Sequence, residues 1–196
     1  MTVAYELGDN LYLNLTNRCN NNCQFCVRNF KDGVADYNLW LEEEPSIKTV
    51  IKELKSFNLD SYQEIIFCGY GEPLIRFKAV IEIAKYIKNN SRTLIRVNTN
   101  GQANLIHQKN ILPFLSEVID KISISLNASN AQMYKEICQP VAGQEAFQAV
   151  ISFIKEARKY ISEVVASVVN YPGVNVSQCQ NIAQELEVDF KLRNFA

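Results

Sequence analysis

Six short runs rich in β-favouring apolar residues, at 11–15, 64–68, 93–98, 121–126, 163–169 and 188–192, alternate along the chain with stretches whose apolar residues recur every three to four positions. Those helical stretches begin at Ser46, at Phe77, near Asn110, at Gln144 and at Val176. Two strands that run the same way need a connection long enough to hold a helix, so the alternation implies parallel strands joined by right-handed crossovers. The expected fold class is α/β. Six strand-helix units suit either an open doubly wound sheet or a partial (β/α)6 barrel of parallel strands.

In both arrangements the loops after the C-terminal strand ends build the functional site. The polar clusters fall at those ends: a cysteine loop after the first run, "GYGEP" at 69–73, "NTNG" at 98–101, "NASN" at 127–130 and "NYPG" at 170–173. They are expected to converge on one mouth. No low-complexity segment or Gly/Ser linker interrupts the 196 residues, of which 47% are apolar, so a single domain over 1–196 with a substantial core is expected.

The formal net charge is -1, so no global positive field points to nucleic acid or an anionic membrane. The sequence shows neither a charged-then-apolar leader nor an apolar run of bilayer length, and a cytoplasmic protein without a membrane partner is the expectation. In a reducing compartment the six cysteines stay free. Cys68, Cys138 and Cys179 are scattered, and Cys138 and Cys179 read as buried small hydrophobes.

The other three cysteines, Cys19, Cys23 and Cys26, lie within "LTNRCNNNCQFCVRN" at 15–29. Thiolates suit zinc, Cu(I) or iron-sulfur clusters. A structural zinc would need a fourth ligand, Cys68 or His107, and neither has a paired spacing to the loop. Three ligands on a compact loop suit three corners of a cubane cluster, with the fourth iron open to an exogenous ligand.

Cys19, Cys23 and Cys26, with Phe25 before the last of them, resemble the CxxxCxxC signature of the radical S-adenosylmethionine (SAM) superfamily. The resemblance implies a radical SAM core holding one [4Fe-4S] cluster. SAM binds its open iron, and an electron from an external flavodoxin- or ferredoxin-type donor cleaves SAM to a 5'-deoxyadenosyl radical that abstracts a substrate hydrogen. "GYGEP" resembles the family's GGEP element, which implies that Gly69, Gly71 and Glu72 meet the SAM ammonium group. Glycine there is expected to let backbone approach a ligand closely. Tyr70 departs from the pattern, standing where the first glycine would align.

"TNG" at 99–101 resembles a further family segment, and Asn98 and Asn100 share one strand face by period-two alternation. Ser123, Ser125 and Asn127 share another, and a polar run on an apolar strand calls for a ligand or a hydrogen-bond network. The resemblance places Ser125 and Asn127 where relatives contact the ribose or methionine of SAM. With "SLNA" at 125–128 followed by "YKEIC" and a proline, the chain also looks like the TatD-associated radical SAM proteins, which implies a link to a TatD-type nuclease and no particular reaction.

The implied function is hydrogen-atom abstraction from an unidentified substrate, and neither an acid-base pair nor a nucleophile stands out. A nucleoside-sized molecule capped by residues 27–45 fits, as does a protein, peptide or nucleic acid docking from outside. Alternatives are an activating enzyme that places a radical on a partner protein, and a non-catalytic metal-binding or electron-transfer protein. The 27–45 stretch carries Arg28, Phe30, Lys31, Tyr37 and Trp40, suited either to gripping a substrate or to shielding the cluster. Lys191 and Arg193 read as a charged sheet edge or as an anion site. His107, the only histidine, reads as solvated or helix-capping.

Overall fold

The computed structural model describes residues 2–31 and 33–195. One sheet carries seven strands in chain order: β1 (Ala4–Leu7), β2 (Asn10–Leu13), β3 (Glu64–Phe67), β4 (Leu94–Thr99), β5 (Lys121–Ser125), β6 (Glu163–Asn170) and β7 (Asp189–Asn194). From β2 onward each strand pairs in parallel with the next. A doubly wound sheet would reverse its strand order part-way. Neighbour-by-neighbour order with crossovers of one hand instead puts the helices on one face and curls the sheet, and no pairing joins β7 to β1 among the described residues, so the barrel is partial and open.

The count differs from the six strands expected, because β1 forms an antiparallel hairpin with β2. Gly8, at φ +56, opens the two-residue loop between them, the backbone state that hairpin turns demand there. "AYEL" carries no β-branched residue and a charge at Glu6, so it does not announce a strand.

The crossovers are α1 (Ile47–Leu54), α2 (Phe77–Asn90), the short α3 (Ala103–His107) and α4 (Leu112–Leu115), α5 (Ala131–Cys138), α6 (Glu145–Ala157) and α7 (Val176–Glu185). Ser46, Asn130 and Asn175 cap α1, α5 and α7 by accepting the backbone N–H three residues on. The helix expected near Asn110 shrinks to the single turn of α4, and α3 and α5 are additions. Leu11, Leu13, Ile65, Phe67, Ile95, Val97, Ile122 and Ile124 form the outer face of the sheet and pack under helical residues such as Val80, Ile83, Val150 and Phe153. Truncating Ile83 to alanine in that core would cost about 2–5 kcal/mol.

Alternation sends the remaining strand residues to the concave inner face. Deep in it Glu64 pairs with Arg96 at 3.1 Å and with Lys121 at 3.6 Å, and Lys121 pairs with Glu163 at 3.0 Å. Above this ionic floor the face carries Asn98, Ser123, Ser125 and Ser167. A half-barrel with a polar lining and an open side is what positions the site.

Candidate active site

The cysteine loop leaves β2 and is pinned from both sides, and its asparagines do much of the pinning. Backbone bonds run from Asn22 N to the Cys138 carbonyl at 3.0 Å and from Gln24 N to the Ile137 carbonyl at 2.9 Å, tying the loop to the end of α5. Asn21 Nδ2 donates to the Tyr134 hydroxyl at 3.1 Å, and Gln102 Nε2 donates to Asn21 Oδ1 at 2.8 Å. Asn20 Nδ2 donates to Gln102 Oε1, and Asn100 Nδ2 to Asn20 Oδ1, both at 2.7 Å. Asn100 Nδ2 also lies 3.9 Å from Cys19 Sγ. All three thiols are free and half-buried.

Their environments differ. Burial pushes the Cys19 thiol up to about 11 and raises Cys26, whereas a hydrogen bond from the Cys138 thiol holds Cys23 below its usual value. Cys138 is fully buried as expected, yet its thiol is a partner of Cys23 as well as packing. The Arg28 guanidinium, whose Nη1 and Nη2 donate to the Asn17 and Asn21 carbonyls at 3.5 and 3.4 Å, favours the thiolate forms.

The loop at 69–73 lies against the cysteine loop. A Cβ on Gly71 would come within 2.3 Å of the Thr16 carbonyl oxygen and 2.5 Å of that of Arg18, and one on Gly69 within 2.1 Å of Asn14 Oδ1. The glycines are thus required by the approach of two protein loops, where sequence reasoning looked for a ligand. Glu72 N donates to the Arg18 carbonyl at 2.8 Å. The buried Glu72 carboxylate accepts from Leu74 N at 3.0 Å, Thr99 Oγ1 at 2.8 Å and Asn100 N at 2.6 Å. Burial pushes its pKa up to about 7 against the pull of those donors.

On the inner face, Asn98 hydrogen-bonds the half-buried Cys68 thiol, while Asn98 Oδ1 is buried with no partner. Arg193 Nη2 reaches Ser125 Oγ at 3.3 Å and Asn127 Oδ1 at 3.5 Å. Asn127 adopts φ +55 just past β5, and its Oδ1 also accepts from Val169 N at 3.2 Å. Phe25 packs against Tyr171 with centroids 5.4 Å apart.

A family model of the radical SAM superfamily matches residues 13–186. The chain belongs to the radical SAM superfamily. It is 30% identical over 166 residues to a "Probable GTP 3',8-cyclase" of Thermococcus kodakarensis, a match covering 85% of this chain and 49% of that protein. A "Dual-specificity RNA methyltransferase RlmN" of Wigglesworthia glossinidia brevipalpis is 28% identical over 153 residues, 74% of this chain and 37% of the other. The solved structure of anSMEcpe with bound AdoMet shares the fold at a TM-score of 0.64 and 17% identity, over 94% of this chain and 51% of that one. The chain spans about half the length of the curated relatives it matches.

Membership in the radical SAM superfamily implies a [4Fe-4S] cluster and SAM. The donor set fits: three soft thiols share one loop beside a guanidinium, as a cluster with one open iron requires. Among the described residues no three His, Cys, Asp or Glu side chains crowd around one point as a single ion would need, whereas a cubane spreads its thiolates over three irons. The orphaned Asn98 Oδ1 fits a ligand donor on the inner face, where a buried acceptor without a partner is otherwise costly.

Tyr70, the departure from the radical SAM pattern, packs at the β1–β2 end of this face. Its hydroxyl donates to the Lys31 carbonyl at 3.0 Å and its ring meets Trp40 edge-on at 5.1 Å, in a small second core with Tyr5 and Leu39. The 27–45 stretch, of which Asp32 lies outside the described residues, is thereby strapped down. Asn14 Nδ2 holds the Leu39 carbonyl at 2.7 Å, Asn17 Nδ2 the Leu41 carbonyl at 2.7 Å, and Glu44 pairs with Arg18 at 2.6 Å and Arg76 at 3.5 Å.

His107 lies apart from the site: Nε2 is 2.8 Å from the Leu74 carbonyl, and its ring packs on Phe77. It is a half-buried histidine that both packs on Phe77 and satisfies a backbone carbonyl. Lys191 stays exposed at the sheet edge, but Arg193 reaches into the mouth. Sequence reasoning missed Asn20, Asn21, Gln102 and Tyr134. Gln102 directly follows "NTNG", and Tyr134 and Cys138 stand four apart, the spacing of one helix face in the unread α5. A cleft between Arg158, Glu163, Glu187 and Asp189 opens at the N-terminal ends of β6 and β7, opposite the site.

Proposed function

We propose that the chain is a single radical SAM domain acting as an enzyme, with one [4Fe-4S] cluster on Cys19, Cys23 and Cys26 and SAM laid along the inner face. Cluster and SAM together supply a 5'-deoxyadenosyl radical that abstracts hydrogen from a substrate. The chain's residues bind and orient. Phe25, Asn98, Ser125 and Asn127 line the SAM site, and the carbonyls of the Gly69 to Glu72 loop meet its ammonium group while the Glu72 carboxylate holds that loop's shape. Asn100 fixes the position of the cysteine loop against it.

The observation that carries this reading is the Asn100 side chain, which contacts Cys19 and Asn20 while its backbone N–H is bound by Glu72. Metal loop and SAM loop form one hydrogen-bonded unit. The substrate is a nucleoside-sized molecule beneath the 27–45 strap, a reading supported by the GTP in the name of the Thermococcus relative. A flavodoxin- or ferredoxin-type donor supplies the electron. Six free cysteines favour work in the cytoplasm, and no helix among the described residues is long and apolar enough to cross a membrane. The "SLNA" and "YKEIC" segments support a functional link to a TatD-type nuclease.

Titration of SAM into the anaerobically reconstituted, reduced protein tests the reading. A SAM-dependent change in the cluster's EPR spectrum that Asn98→Ala weakens is expected. An unchanged spectrum on a fully loaded cluster would remove SAM binding from the account.

A further inference from the structure

Alternation along β7 puts Lys191, Arg193 and, one residue past the strand, Phe195 on one face. That face is the inner one, since Arg193 reaches Ser125 and Asn127 from it. The strand is the open edge of the half-barrel. Asp189 shares the face at the far end, about 7 Å from position 191 and about 13 Å from position 193 at roughly 3.3 Å per residue. Neither Lys191 nor Arg193 forms an ion pair among the described residues, and the contacts of Arg193 are to neutral oxygens.

Phe195 continues the face into a ladder of rings across the mouth. It meets Phe30 of the strap at 5.5 Å and 88°, and Tyr171 at 5.3 Å and 79°; Tyr171 in turn packs on Phe25. Each edge-on contact covers one face of one ring and leaves the remaining faces open. Phe30 is 55% exposed and Phe195 38%. An open aromatic face beside two cations without ion pairs among the described residues matches a planar base carrying a phosphate, the first by stacking and the second by charge-assisted hydrogen bonds.

We propose that the substrate is a free nucleotide, its base stacked on the Phe195 ring with Phe30 closing edge-on beside it, and its phosphate held by Arg193 and Lys191. The inference rests on the radical SAM reading above and names its substrate class. Two cations match one phosphate group, whereas a nucleic-acid strand calls for a basic track, which a chain with a net charge of -1 does not advertise.

Anaerobic equilibrium dialysis of the reconstituted protein at saturating SAM tests it, with nucleoside mono- and triphosphates, the matching nucleosides and a single-stranded RNA 12-mer as probes. Nucleotides are expected to bind at least about tenfold more tightly than nucleosides. Arg193→Gln should collapse that difference, and Lys191→Gln should narrow it. Phe195→Ala should weaken nucleotide and nucleoside alike by about tenfold, the size of one lost base-aromatic stack. Equal binding of nucleotide and nucleoside, no nucleotide binding, or loss of nucleotide as SAM is raised would overturn the proposal, the last by giving the rings to the adenine of SAM. Preference for the 12-mer over every free nucleotide would overturn the free form. A parallel EPR titration separates the two readings: a SAM response without nucleotide binding sinks only this inference, and no SAM response sinks the radical SAM reading.

Discussion

The Glu72 carboxylate accepts the backbone N–H of Asn100 at 2.6 Å while Asn100 Nδ2 reaches Asn20 Oδ1 at 2.7 Å. Through this pair of bonds the loops after β2, β3 and β4 are locked into one rigid mouth. Parallel strands with sequential order bring the three loop roots side by side, and short polar side chains then bridge the remaining gaps. The geometry of a cluster site depends on such bridges as much as on its thiols.

Glu72→Ala should destabilise the protein by about 3 kcal/mol or more, because Leu74 N, Asn100 N and the Thr99 hydroxyl lose their acceptor in a buried place. The midpoint of urea unfolding, measured on the cluster-free chain, reads the loss. A shift equivalent to less than 1 kcal/mol would mean that the three donors find water or other partners.

The same carboxylate sets a pH dependence. Burial raises its pKa from 4.5 to about 7, so the folded chain holds the proton more tightly than the unfolded one. Its contribution is most favourable below about pH 4.5 and is lost as pH rises through 7, a decline of about 3 kcal/mol in full. The stability of the parent minus that of Glu72→Gln should fall across this window and then level off. A difference that rises with pH would show that the donors outweigh burial.

Gly71→Ala should disrupt the junction between the two loops more than Gly69→Ala. The first Cβ meets backbone carbonyls of Thr16 and Arg18, which cannot move without breaking the bond from Glu72 N, whereas the second meets the Asn14 side chain. Overpacking of this kind costs about 1–3 kcal/mol. Iron bound per chain after reconstitution should fall further for Gly71→Ala, and equal loading of the two variants would count against the junction.

Much of this was legible in the sequence, and the reasons it was not all legible are physical. Strands β2 to β7 are legible as short runs of β-favouring apolar residues, and α2 and α6 as long apolar stripes. Strand β1 is AYEL, with no β-branched residue, and helix α5 buries only Tyr134, Ile137 and Cys138, so neither carries a pattern that stands out. The three cysteines were readable because ligand chemistry fixes residue type and spacing together. Gln102 and Tyr134 were not, since a side chain that positions a loop from another crossover leaves no local pattern. Tyr70 was seen as a departure, but only the packing of Trp40 and Leu39 shows what the departure holds.

Tyr70→Ala should free the strap. The lost hydroxyl bond to Lys31 and the lost ring contact release Trp40, the only tryptophan, so its fluorescence should shift to the red and proteolysis should concentrate at residues 30–40. Tyr70→Phe keeps the ring and should leave the emission near that of the parent. Unchanged emission and cleavage in the alanine variant would show that Asn14, Asn17 and the Glu44 ion pairs hold the strap without Tyr70.

Chromatography for 5'-deoxyadenosine, after anaerobic reconstitution with iron and sulfide and reduction with dithionite in the presence of SAM and nucleotide, tests the central claim most directly. The account predicts 5'-deoxyadenosine from the parent chain and none from Cys23→Ala. A parent carrying a full cluster and a SAM-perturbed EPR spectrum that still forms no 5'-deoxyadenosine, or a Cys23→Ala variant that forms as much as the parent, would contradict it.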